Sequence, residues 1–269
     1  MNIKKGTSET IRENLKFKNF NSSYNFSNFS YWFVGFFEAN GCFSINIFNE
    51  IQFEIFLNNQ DKDLLYKIKT YIQSGIVFSP PNSNISTLII KRPSELISKI
   101  YPILNGKILS EYKYKQFQRV CDLQGLPPAV RGNHKDPAWL IGFIDGNACF
   151  FVTQINNLIT PQLSFGPNFP EILHIINNNF FNNVGLLNFI GPNNFVLHFV
   201  CYSTSWLSKV LIFPLLTKNN ITFNSWYKIV DMVEKNEHLL EEKKERLLKL
   251  SKTIKKINKN KIESDPLEN

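Results

Sequence analysis

Apolar and polar positions recur along this chain with two different periods. The stretches 31–40 and 137–147 are apolar almost throughout and read as buried helices. After the first, Phe43, Ile45 and Ile47, then Ile51, Phe53 and Ile55, recur at every second residue, the period of strands with one buried face. A helical pattern follows in Lys62-Asp-Leu-Leu-Tyr-Lys-Ile-Lys, and another runs from Pro170 to Asn178. A further strand pair is predicted over 75–79 with 85–91, and again over 184–190 with 195–201. Pro80-Pro-Asn-Ser-Asn and Gly191-Pro-Asn-Asn supply the turns within these pairs. Helices close each unit. The order α-β-β-α-β-β-α is an α+β unit with a four-stranded antiparallel sheet.

The two units are copies. Tyr31-Trp-Phe-Val-Gly-Phe-Phe-Glu-Ala-Asn-Gly-Cys-Phe43 and Ala138-Trp-Leu-Ile-Gly-Phe-Ile-Asp-Gly-Asn-Ala-Cys-Phe150 share Trp, Gly, Phe, Asn, Cys and Phe in register at an offset of 107. A second echo, Tyr101-Pro-Ile-Leu104 with Phe213-Pro-Leu-Leu216, stands at an offset of 112. Gly35 and Ala39 are four apart, as are Gly142 and Gly146. Small residues at this spacing let two helix backbones approach closely, so the two motif helices are expected to pack together and make a pseudo-dimer within one chain. The expected divisions are an extension over 1–30, repeats over 31–125 and 136–236, a Pro- and Gly-rich linker over 126–135, and a C-terminal helix and tail over 237–269.

Composition narrows the class. Of 269 residues, 43% are hydrophobic and 14% aromatic, which excludes a mainly disordered chain. No apolar run approaches the roughly 18 residues of a membrane span, and no membrane partner is expected. Phe occurs 25 times and Asn 34 times. Both use AT-rich codons, a bias that points to an organelle gene, with the mitochondrial matrix expected and a chloroplast as the alternative. Residues 1–30 contain no apolar secretory core. Cys42, Cys121, Cys149 and Cys201 form no CxxC pair and read as small buried hydrophobes, so no zinc or other metal site is expected from them.

The duplicated segments, Phe33-Val-Gly-Phe-Phe-Glu-Ala-Asn-Gly41 and Leu140-Ile-Gly-Phe-Ile-Asp-Gly-Asn-Ala148, resemble the two motifs of LAGLIDADG homing endonucleases and their maturase relatives. The similarity extends over about 30–260. It implies two sheets forming a saddle over the DNA major groove, and two motif helices ending above the scissile phosphates. It also implies a divalent metal held by an acidic residue at the eighth motif position of each helix. Here both eighth positions are Asn, Asn40 and Asn147. Neutral amides remove two charges from a site meant for Mg²⁺, which prefers charged hard oxygen. Glu38 and Asp145, at the sixth positions, lie about 200° away around the helix, and the resemblance makes them structural. The expectation is a catalytically inactive relative that is no longer an enzyme and has no cofactor, with Mg²⁺ only if the endonuclease reading holds. Lys218 resembles a family lysine near the cleavage centre, and ungapped alignment places Gly106 at its equivalent in the first copy, with Lys107 beside it.

The charge distribution points the same way. No Lys or Arg occurs from Asn19 to Asp61 or from Asp136 to Ser208, windows that hold the first hairpin and the whole second sheet. The net charge of +8 divides as +3 over 1–18, zero over 19–242, +8 over 243–261 and −3 over 262–269. The candidate nucleic-acid contacts are therefore Lys4, Lys5, Arg12, Lys16 and Lys18, interleaved with Phe17, Phe20, Tyr24, Phe26 and Phe29. They continue in Lys243, Lys244, Arg246, Lys249, Lys252, Lys255, Lys256, Lys259 and Lys261, on a helix read from Glu237 to Lys261. Its apolar stripe is Leu239, Leu240, Leu247, Leu250, Ile254 and Ile257. The expected partner is RNA, either rRNA with ribosomal proteins in a mitochondrial ribosome or a group I intron bound by a maturase. Duplex DNA, the substrate of a homing endonuclease, is disfavoured.

Overall fold

The structure is a computed structural model that describes residues 26–155, 158–168, 170–191, 194–201 and 214–262. The first repeat opens with α1 (Phe26–Asn40), which runs directly into β1 (Gly41–Ile45) and β2 (Ile51–Asn58). A 3-10 turn leads to α2 (Lys62–Ile72), then β3 (Ile76–Phe78) and β4 (Ile85–Ile90). Short helical segments α3 (Pro93–Glu95) and α4 (Tyr101–Leu104) flank a π-helical turn and lead to α5 (Glu111–Leu123). The second repeat begins with α6 (Pro137–Asn147), β5 (Ala148–Ile155) and β6 (Leu158–Asn168). It continues through α7 (Pro170–Phe180), β7 (Leu186–Gly191), β8 (Asn194–Val200) and α8 (Asn219–Glu234), and the last described element is α9 (Glu241–Ile262). Two antiparallel sheets result, ordered β1-β2-β4-β3 and β5-β6-β8-β7. The predicted α+β class and duplicated sheet are what the structure contains.

The centre is the α1–α6 contact. A Cβ on Gly35 would stand 1.9 Å from the Trp139 carbonyl oxygen, and one on Gly142 would stand 1.9 Å from that of Trp32. The backbones are therefore in direct contact, and any larger side chain would force them apart. One turn on, a Cβ on Gly146 would meet Ala39 Cβ at 2.4 Å. Trp32 stacks on Phe36 and Trp139 on Phe143, with centroids 4.8 and 5.4 Å apart. Around this seam Phe33, Phe37, Phe53, Phe150 and Phe165 are fully buried, each worth about 2–3 kcal/mol in removed apolar surface.

Three expectations are corrected by local backbone chemistry. The strand expected to carry Ile47 inward ends at Ile45. The Asn46 side chain accepts from the backbone N–H groups of Phe48 and Glu50, which starts a turn, and Ile47 is left 90% exposed. The single C-terminal helix expected from Glu237 is broken. Glu237–Leu239 is a 3-10 turn and Leu240 is extended, so Leu239 and Leu240 are exposed and only the stripe from Leu247 onward reaches the core. Phe29, expected among aromatics free to stack on RNA, belongs to α1 and is buried against Trp32 and Tyr71.

Candidate functional site

The site lies where α1 and α6 end. Asn40 and Asn147 are the last residues of the two helices, and both are half-buried. The Asn40 amide lies against Gly146, where a Cβ would come within 2.8 Å of it, and the Asn147 Oδ1 lies against Gly166, where a Cβ would come within 2.9 Å. These glycines leave a cradle around each amide that a larger residue would fill.

The nearby carboxylates are committed elsewhere. Glu38 accepts from the backbone N–H groups of Leu109 and Ser110 and from Trp139 Nε1 at 2.6 Å. Asp145 accepts from the N–H groups of Leu216 and Thr217, from Thr217 Oγ1, and from Trp32 Nε1 at 3.0 Å. Each motif acid thus caps the loop before the closing helix of its own repeat and takes an indole N–H from the other repeat. Burial pushes Glu38 up to about 7 against the lowering effect of those donors, and Asp145 up to about 6 for the same reason. Neither is free to hold an ion beside the helix ends.

These caps also fix the correspondence between repeats. Leu216 and Thr217 occupy the places of Leu109 and Ser110, at the offset of 107. The echo at 112 is therefore not a structural equivalence, and the counterpart of Lys218 is Glu111 rather than Gly106. The pairing is reciprocal: Lys218 N–H donates to Asp61 of the first repeat at 2.8 Å, and Glu111 N–H donates to Glu171 of the second at 3.0 Å. Lys218 Nζ donates to Gln60 Oε1, and Lys107 Nζ donates to the Ile103 carbonyl.

Sequence reasoning missed Lys113. Its ammonium donates to the Gly41 carbonyl, one residue beyond Asn40, and lies 5.7 Å from the Phe37 ring centroid and 5.5 Å from that of Tyr112. Burial lowers its pKa, while Cys42 and Glu38 oppose that shift. The usable signal was Ser110, whose hydroxyl accepts from Lys113 N–H as an N-cap and sets the phase of α5.

Both sheets bury one face and leave the other open. In β2 the buried set is Ile51, Phe53, Ile55 and Leu57, and Gln52, Glu54, Phe56 and Asn58 line the open side. The eight strands among the described residues lack Lys and Arg. Cations lie off the sheets, as in Lys91 and Arg92 after β4, and along α9. There Lys244, Arg246, Lys249, Lys252, Lys255 and Lys256 are exposed, while Leu247 and Ile254 are buried and Asn258 Nδ2 donates to the Phe150 carbonyl. Lys243 is half-buried and faces Glu237 at 3.9 Å. The side chains of Lys259 and Lys261, like all of Lys4, Lys5, Arg12, Lys16 and Lys18, lie outside the described residues. Among the described residues no cluster of three His, Cys, Asp or Glu could hold a metal, and no helix is long and apolar enough to cross a membrane. The oxygen donors at the helix ends are amides. They fit a hard divalent ion in donor element and supply it no charge.

Two antiparallel four-stranded sheets joined by a glycine-packed helix pair, with both helices ending at one centre, define the LAGLIDADG class. The family model for LAGLIDADG endonuclease matches residues 33–124. A Neurospora crassa protein called "Probable intron-encoded endonuclease 4" is 25% identical over 86% of this chain, which spans 44% of that protein. A Schizosaccharomyces pombe protein named for cox1 intron-2 is 26% identical over 89% of this chain and 79% of its own length. The meganuclease I-AabMI bound to uncleaved DNA superposes with a TM-score of 0.66 at 18% identity, covering 83% of this chain and 98% of that one. The homing endonuclease I-LtrWI bound to target DNA gives 0.65 at 17% identity, covering 84% and 97%. I-SmaMI bound to uncleaved DNA in the presence of calcium ions gives 0.63 at 15% identity, covering 82% and 97%. Residues 33–124 thus match the LAGLIDADG endonuclease family, and the chain as a whole is similar in sequence to intron-encoded proteins and shares the two-repeat LAGLIDADG fold.

These findings overturn the expectation that the chain is not an enzyme. The matched family model is that of an endonuclease, a relative is named as one, and the structural neighbours are meganucleases and homing endonucleases. The inactive reading treats neutral amides as disabling, but amide oxygen still ligates hard cations. The expectations of no cofactor and no duplex DNA lose their support with it, since the neighbours were captured on DNA, one of them with calcium. None of the relatives above carries a ribosomal name.

Proposed function

We propose that this chain is an intron-encoded endonuclease that binds duplex DNA across the open faces of its two sheets and cuts it beneath the ends of α1 and α6. The observation that carries this reading is the direct backbone contact through Gly35 and Gly142, which brings Asn40 and Asn147 to one centre between two equivalent sheets. The amide oxygens of Asn40 and Asn147 would hold a divalent ion. When bound, such an ion supplies activation of water and stabilisation of charge on the phosphate. Lys113, fixed by the Gly41 carbonyl, places a cation beside that centre and would offset charge developing on the cleaved strand. The relatives' intron-derived names support an origin in an organelle intron, with mitochondria as the compartment. The test is cleavage of a duplex carrying the intronless insertion junction, across a Mg²⁺ or Mn²⁺ series. A discrete cut that requires metal is expected. Intact binding with no cut at any metal concentration would overturn the assignment.

A second reading, a group I intron maturase, draws on the exposed cations of α9, which lie off both sheets. Restored splicing of the protein's own intron by a variant that cannot cut would favour it.

A further inference from the structure

Gln52 on β2 and Gln162 on β6 occupy equivalent positions in the two sheets. Gln52 lies three residues before Ile55, which pairs with Gly41 at the start of β1. Gln162 lies three residues before Phe165, which pairs with Ala148 at the start of β5. Both side chains lie on the open face and are half-buried. Each amide nitrogen is tied to a neighbour on the same face. Gln52 Nε2 donates to Glu54 Oε1 at 2.5 Å, and Gln162 Nε2 donates to Thr153 Oγ1 at 3.0 Å.

The ties are themselves held. Glu54 also accepts from Ser44 Oγ at 2.9 Å and from Cys42 Sγ, and the Thr153 hydroxyl reaches the Thr160 carbonyl. A pinned amide has little rotamer freedom left to lose on binding. One hydrogen of each NH₂ is used in the tie. The other hydrogen and the carbonyl oxygen remain available to a ligand.

We propose that Gln52 and Gln162 are specificity residues that read adenine at two base pairs, one in each half of a duplex site. The inference rests on the duplex-DNA reading of the same faces. A free N–H beside a free carbonyl oxygen matches adenine N7 and N6 in the major groove, and guanine is read instead by Arg or Lys. Among the described residues, no strand of either sheet contains Arg or Lys. The neighbouring open-face groups include Phe56, Phe78 and Leu186, all exposed. These suit the methyl group of thymine, so the surface as a whole favours A·T pairs.

The test is selection from a randomised duplex pool with the full chain, repeated with Gln52→Ala and with Gln162→Ala. The wild type should enrich A·T-rich duplexes. Each variant should relax one position, that position should be adenine in the wild-type selection, and the two positions should lie in opposite halves of the site. Affinity for the selected duplex should fall about tenfold or more per variant. Gln52→Met and Gln162→Met, which keep length but lack the amide, should behave the same way, and unchanged thermal melting separates lost reading from lost folding. A relaxed position that is G·C, or no relaxed position in a folded variant, overturns the inference and leaves the duplex reading standing. Failure of the wild type to enrich any duplex overturns both.

Discussion

At the scale of single residues, the acids of the motif are structural and the amides stand at the ends of the two motif helices. Glu38 and Asp145 each receive an indole N–H from the opposite repeat, across 101 and 113 residues of sequence. Their place in the motif was legible, but those donors were not, because no local pattern links residues so far apart. Lys113 was illegible for a related reason: it lies among alternating lysines on an amphipathic helix, and only the packing of α5 against β1 makes it different. The buried acids make stability depend on pH. Glu38 titrates near 7 in the fold against 4.5 as its ordinary value, and Asp145 near 6 against 3.8. The protonated forms are thus favoured by folding. Their contribution is complete below the ordinary values and is lost as pH rises through 6 and 7. Denaturant unfolding should show stability falling between pH 5 and pH 7, with a slope on the order of 1 kcal/mol per pH unit. Glu38→Gln should flatten that slope, and an unchanged slope would contradict the assignment. At the helix ends, Asn40→Asp with Asn147→Asp should lower the Mg²⁺ concentration needed for half-maximal cutting by about tenfold or more, since it restores charge to the donor set. A metal titration of the cleavage rate reads this directly.

At the scale of elements, the repeat was the strongest signal in the sequence, and the helices and strand pairs it predicts are in place. What failed failed at edges, where side-chain hydrogen bonding competes with periodicity. Asn46 turned the chain before Ile47 could join β1, and an extended Leu240 separated α9 from the turn before it. The α1–α6 seam makes a sharp prediction. Gly35→Ala puts a methyl group where a carbonyl already stands, at 1.9 Å. It should destabilise by about 3 kcal/mol or more, and Gly142→Ala should do the same. Gly132→Ala, whose nearest neighbouring atom is at 2.8 Å, should cost less. Thermal melting of the three variants gives the order.

At the scale of the whole molecule, charge and fold are separated. The net charge of +8 suggests an electrostatic grip, yet the eight described strands hold no cation and the excess gathers at the chain's ends. A duplex on the open faces would then be neutralised by residues at the sheet borders and on α9. Replacing Lys249, Lys252 and Lys256 with Ala should reduce the salt dependence of duplex binding by about one unit of slope for each phosphate no longer neutralised. A slope left unchanged would mean that α9 does not touch the duplex. Catalysis is where the two signals oppose each other: neutral amides at both helix ends suggest an inactive chain, and the similarity to endonucleases argues for an active one. The most direct measurement is gel analysis of purified protein incubated with its intronless insertion-junction duplex, with Mg²⁺ and with EDTA. One pair of strand breaks at a fixed position, formed only with the metal, is the predicted result. Tight binding of that duplex with both strands intact at every metal concentration would contradict it.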